Sequence, residues 1–136
     1  MKKTIFATSI VFLLLVAFNT NSYSQKADKT SVSKVITITD NDFDKTVKKG
    51  ITMVDFWAVW CGPCRRQGPI VEEIANEVGK KIKIGKLDVD NNKVTSNTFN
   101  VRNIPTLIIF KDGKEVKRLV GLQDKQTLLN ELNAIK

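Results

Sequence analysis

Residues Ile51-Thr52-Met53-Val54-Asp55-Phe56-Trp57-Ala58 are almost unbroken in apolar character, and only Val59 separates them from Trp60-Cys61-Gly62-Pro63-Cys64. A run of this kind fits a strand covered on both faces, central in its sheet. After the cysteines the period changes. Ile70, Val71, Ile74, Ala75 and Val78 recur at helical spacing with Glu72, Glu73 and Glu77 on the other side, until Gly79 ends the segment. Pro69 falls inside this helix and is expected to kink it, because proline removes a ladder bond and crowds the preceding turn. A buried strand feeding an amphipathic helix commits this part of the chain to layered α/β architecture.

The two cysteines at that junction point to thiol chemistry. A bridge between Cys61 and Cys64 closes so short a loop that chain entropy gives it only roughly 2 kcal/mol, which makes a bracing role a poor explanation. A Cys-x-x-Cys pair opening a helix instead offers its first sulfur the unpaired amides and positive end of the dipole, which favour a thiolate. The 136 residues contain no histidine. That excludes Cys-His and Ser-His-Asp catalysis and any mixed Cys/His zinc site, and two cysteines supply only half of a tetrahedral zinc set. No metal is expected. The net charge is +8, compatible with acidic partners, anionic headgroups or a lysine-rich soluble face. No phosphate loop or aromatic-basic stripe supports nucleic-acid binding.

The N-terminus stands apart. Lys2 and Lys3 precede an apolar run from Ile5 to Phe18 that is short for a membrane span, and Ser22 and Ser24 are small residues suited to a signal peptidase. We read residues 1–24 as a secretory signal cleaved between Ser24 and Gln25, with an uncleaved anchor as the alternative. Residues 25–34 read as a flexible polar leader and 35–136 as one domain. Export, most readily to a periplasm, permits disulfide chemistry.

Within the domain, Val35, Ile36 and Ile38 suggest a first strand, and Asp40 is expected to cap a short helix through Phe43 and Val47 that stops at Gly50. Ile82, Ile84, Leu87 and Val89 predict a strand, followed by a short polar helix or turn over 91–99. Thr106 to Phe110 predicts another buried strand, and Asp112-Gly113 a hairpin into an antiparallel strand over 115–120. Gly121 breaks the chain, and Asp124 caps a last helix striped by Leu128, Leu129, Leu132 and Ile135. The order is βαβαβαββα: α/β, a mixed sheet of about five strands with helices on both faces.

Val54 to Ala58, Trp60-Cys61-Gly62-Pro63-Cys64, Pro69, Ile104-Pro105-Thr106 and Val120-Gly121 together resemble the thioredoxin family in order and spacing, over essentially all of residues 35–136. The resemblance implies a thioredoxin fold and a thiol-disulfide oxidoreductase with no cofactor beyond a redox-active Cys61–Cys64 disulfide. It implies that Cys61, the more exposed sulfur, attacks a substrate disulfide and that Cys64 resolves the mixed disulfide. Asp55, a carboxyl in an apolar strand with a raised pKa, would take the Cys64 proton directly or through a water. Lys86 would modulate Asp55, and Pro105 would be a cis-proline presenting the backbone of Ile104 to an extended substrate strand. Trp60, Gly62, Pro63, Ile104 and Gly121 would form the platform around Cys61, with core packing as the other reading of Trp60. The chain departs from common members at Val59 and in the more basic, less apolar Arg65-Arg66-Gln67-Gly68.

Gly62-Pro63 resembles reductants, whereas oxidants and isomerases usually place a histidine beside the second cysteine. The expected potential is nearer the −270 mV typical of thioredoxins than the −120 mV of strong oxidants, both being approximate class values of about that size. The expected partners are disulfide-containing exported proteins and a membrane-embedded thiol electron donor, with the domain itself a monomer. A weak oxidant or isomerase, and a docking module indifferent to redox state, are the alternatives.

Overall fold

The computed structural model describes residues 33–135. The signal sequence and cleavage site expected over 1–24, and most of the leader expected over 25–34, lie outside the described residues. The elements are β1 (Ile36–Thr37), α1 (Phe43–Val47), β2 (Ile51–Trp57), α2 (Gly62–Glu77), β3 (Ile82–Asp88), α3 (Lys93–Thr98), β4 (Thr106–Lys111), β5 (Lys114–Val120) and α4 (Lys125–Ile135). This is the βαβαβαββα order read from the sequence.

The sheet order is β1-β3-β2-β4-β5, with β1 and β2 parallel to β3, and β4 antiparallel to both β2 and β5. The apolar run is therefore the central strand, and alternate side chains divide between two cores. Ile51 and Met53 pack with Val71, Ile74 and Ala75 of α2 and Leu128 and Leu132 of α4. Val54 and Phe56 pack on the other face with Phe43 and Val47 of α1, where Phe43, Phe99 and Phe110 stack with ring centroids 5.1–5.4 Å apart. The β4–β5 hairpin turns through Asp112 and Gly113, both at positive φ (50° and 81°), the combination a two-residue hairpin of matching twist requires.

One local expectation is corrected. Asp40 does not cap α1. The residue before that helix is Asp42, whose carboxylate accepts from the Thr39 N–H at 2.7 Å. Asp40 instead reaches 54 and 55 positions along the chain to accept the N–H groups of Val94 and Thr95, at 3.2 and 2.9 Å, and so caps α3. The Thr95 hydroxyl and these amides hold its carboxyl below the usual range. The Ser33 hydroxyl donates to Glu72 at 2.7 Å and the Lys34 ammonium to the Asn76 carbonyl at 3.5 Å. Gly85 on β3 is demanded by packing, since a Cβ there would lie 2.3 Å from Cδ1 of Ile38.

Candidate active site

The chain leaves β2 with Ala58 buried and Val59 and Trp60 exposed, then tightens so that the Cys61 N–H donates to the Ala58 carbonyl at 3.2 Å. Cys61 keeps an extended conformation and is the N-cap of α2, and its sulfur accepts the Cys64 N–H at 3.2 Å. Pro63 occupies the first turn, where its missing N–H leaves no ladder bond unmade. A disulfide joins Cys61 and Cys64, their Cα atoms 5.2 Å apart. No acidic residue sits in the first turn to offset the positive end of this 16-residue helix. Cys61 is only marginally the more exposed of the pair, 4% against 2%. Its position as N-cap distinguishes the two residues better than exposure does.

Facing the disulfide is the segment before β4. The Ile104–Pro105 peptide bond is cis, and the Ile104 carbonyl lies 3.7 Å from the Cys61 sulfur. In the disulfide that sulfur has no proton to donate, so the contact is a close approach of backbone to the reactive atom. The Pro105 carbonyl accepts the N–H of Gly121 at 2.8 Å, and Gly121 holds φ at 85°, which a side chain would strain. A Cβ at Gly62 or at Gly121 would meet nothing within 4 Å. The folded chain thus leaves open space at both glycines. Trp60 is 68% exposed, which excludes core packing, and its indole Nε1 donates to Asp90 at 2.7 Å. Trp57 is half-buried and packs with Val89 and Ile104 against Ala58, Cys61 and Cys64.

Asp55 lies on the face of β2 covered by α2 and α4, the face of Ile51 and Met53. It is fully buried, and neither carboxyl oxygen has a hydrogen-bond partner. Burial pushes its pKa up to about 7, and the charge of Lys86 pulls it back only in part. Lys86 is its register partner on β3. No ion pair within 4.0 Å joins them among the described residues, and Lys86 lays its ammonium over the Trp57 ring, 4.4 Å from the centroid. The Lys86 Nζ would be 3.5 Å from a Cβ at Gly68, so the ammonium lies directly beneath α2. An uncompensated carboxyl in an apolar layer, with a cation near but not touching, is a group able to gain or lose a proton near neutrality.

Two contributors escape a reading of the sequence. Asp90, which fixes the Trp60 indole, comes from the connection after β3, and nothing local marks it. Gln67 is fully buried and joins α2 to the Gln123 backbone. Its spacing, three residues after Cys64 and four before Val71, places it on the inward helix face and was the available signal. Arg65 and Arg66 are exposed. No group of three or more potential metal ligands occurs among the described residues, nor any helix long and apolar enough to cross a membrane.

Comparison with known proteins agrees with this geometry. A model of the thioredoxin family matches residues 34–134. The thioredoxin of Staphylococcus haemolyticus (strain JCSC1435) is 46% identical over 99 residues, covering 73% of this chain and 95% of that protein. The thioredoxin of Staphylococcus aureus (strain N315) is 48% identical with the same coverage, and that of Staphylococcus saprophyticus 48% identical over 94 residues, 69% of this chain and 90% of its own. With a Cys-x-x-Cys disulfide at the mouth of α2 and relatives of this similarity over nearly their full length, the chain belongs to the thioredoxin family and is a disulfide oxidoreductase.

Proposed function

We propose that this oxidoreductase reduces disulfides of exported proteins outside the cytoplasm and is itself kept reduced by a membrane-embedded thiol donor. The observation that carries the direction is chemical: Gly62 and Pro63 separate the cysteines, and a chain without histidine has no imidazolium to stabilise the reduced pair. Export is supported by the basic-then-apolar start, the small residues Ser22 and Ser24, and a family match that begins only at residue 34.

In the reductive half-cycle the Cys61 thiolate attacks one sulfur of a substrate disulfide, forming a mixed disulfide and expelling the other substrate sulfur as thiolate. Cys64, its proton passed to Asp55, then attacks Cys61, forms the Cys61–Cys64 disulfide and releases the second substrate thiol. Two electrons move from the protein to the substrate, and the donor returns them. Lys86 tunes the proton affinity of Asp55. Trp60, Gly62, Pro63, Ile104, Pro105 and Gly121 seat an extended substrate strand.

Alkylation of the protein in growing cells tests the direction: a substantial dithiol fraction is expected, and a pair found always oxidised refutes a standing reductant. The mass of the exported protein should correspond to a chain starting at Gln25. An intact Met1 terminus would replace cleavage with a retained anchor. Cys61→Ser is expected to abolish cellular function, whereas retained function would favour a docking module.

A further inference from the structure

Gln67 puts a polar amide on the inward face of α2, between Cys64 and Val71, and is fully buried there. Its Oε1 accepts the N–H of Gln123 at 2.8 Å, and its Nε2 donates to the carbonyl of the same residue at 3.3 Å. Both ends of the side chain are thus spent on one backbone position in the β5–α4 connection. Gln123 reaches back with its own amide to the carbonyls of Val120 and Gly121, each at 3.3 Å. The Gly121 N–H is held by Pro105, and the Ile104 carbonyl before it approaches the Cys61 sulfur. These links close a ring that begins and ends on α2. The side chains flanking Gly121, Val120 and Leu122, are 53% and 40% exposed.

We propose that Gln67 is a positioning residue that sets the separation between α2 and the Gly121 side of the substrate groove, and thereby governs engagement of polypeptide disulfides without taking part in exchange at Cys61. The inference rests on the reading of Ile104, Pro105 and Gly121 as the substrate platform. A neutral amide supplies one acceptor and one donor to a backbone residue that needs one of each, as a neighbouring strand would. An apolar side chain of the same volume would fill the space and leave both part-buried backbone groups of Gln123 without their partner. Those groups recover partners by moving out to water, and Val120 and Leu122 move with them. A polypeptide must lie along that wall on both sides of its cystine, whereas a small disulfide reaches Cys61 without touching it.

The test compares the full chain with its Gln67→Met variant on insulin and on a small aromatic disulfide, dithiobis(nitrobenzoate). The KM for insulin is expected to rise about tenfold with kcat within about twofold of wild type. The rate with the small disulfide and the reduction potential of the pair are expected to be unchanged. The Gln123 amide should exchange its hydrogen faster, since its acceptor is gone. Gln67→Leu likewise removes both the acceptor and the donor, so its insulin KM should rise by a similar factor, and it serves if the methionine variant does not fold. Equal losses on both disulfides, or an unchanged insulin KM in the folded variants, overturn the proposal. A wild-type protein that reduces small disulfides but not insulin overturns instead the platform reading beneath it.

Discussion

Replacing Asp55 with asparagine should make the oxidised protein more stable, and increasingly so as pH rises. In the unfolded chain this carboxyl loses its proton near 3.8, whereas burial without a partner lets the folded protein keep the proton up to about 7. Between those values the folded state binds more protons than the unfolded one, so stability falls as pH rises through the window and levels off above it. A gap of about 3 units at 1.36 kcal/mol per unit amounts to about 4 kcal/mol. The amide of the variant is equally buried but does not titrate, and the disulfide-bonded cysteines do not titrate either. All other groups are shared and cancel in the difference. Urea unfolding of the two oxidised proteins at about pH 4 and about pH 9 should therefore show the variant gaining about 4 kcal/mol relative to wild type, or about 2 M in midpoint for a domain of this size. The same variant should turn over substrate more slowly near neutrality, having lost the proton acceptor proposed for Cys64. Stability curves that run parallel across pH would mean that Asp55 is solvated or paired, and the proton-acceptor role would lose its physical ground.

Lys86→Met removes the one cation that holds the Asp55 pKa down, so the carboxyl should titrate above about 7, followed by NMR of the side chain or by the pH midpoint of stability. Gly85→Ala puts a Cβ 2.3 Å from Cδ1 of Ile38 and should cost about 1–3 kcal/mol in denaturant unfolding, partly recovered by adding Ile38→Val. Asp40→Ala should cost about 1 kcal/mol and speed hydrogen exchange at the Val94 and Thr95 amides, whereas accelerated exchange confined to α1 would show that Asp40 caps its neighbouring helix after all.

The periodicities carried most of the architecture. The two-faced burial of β2, the amphipathic stripes of α2 and α4, the Asp112-Gly113 hairpin and the Asp124 cap, which accepts the Thr127 N–H at 2.8 Å, are all short-range matters of side-chain spacing and turn chemistry. The cysteine pair and its helix were legible for the same reason. Other features depend on residues far apart in sequence. Asp40 is an ordinary cap by local rules, yet its carboxylate goes to α3 because folding brings those amides closer than those of α1. Trp60 keeps core packing as its alternative reading until Asp90, 30 residues on, fixes its indole. Gln67 looks like part of a basic, exposed stretch until the helix turns it inward against Gln123. The Asp55 carboxyl is conspicuous in the sequence, but its elevated pKa arises from how completely the surrounding layers exclude water and how far Lys86 stays from it, and both are properties of the packed sheet. Local spacing determines what each segment becomes, whereas desolvation and long-range hydrogen bonds exist only once the segments have met.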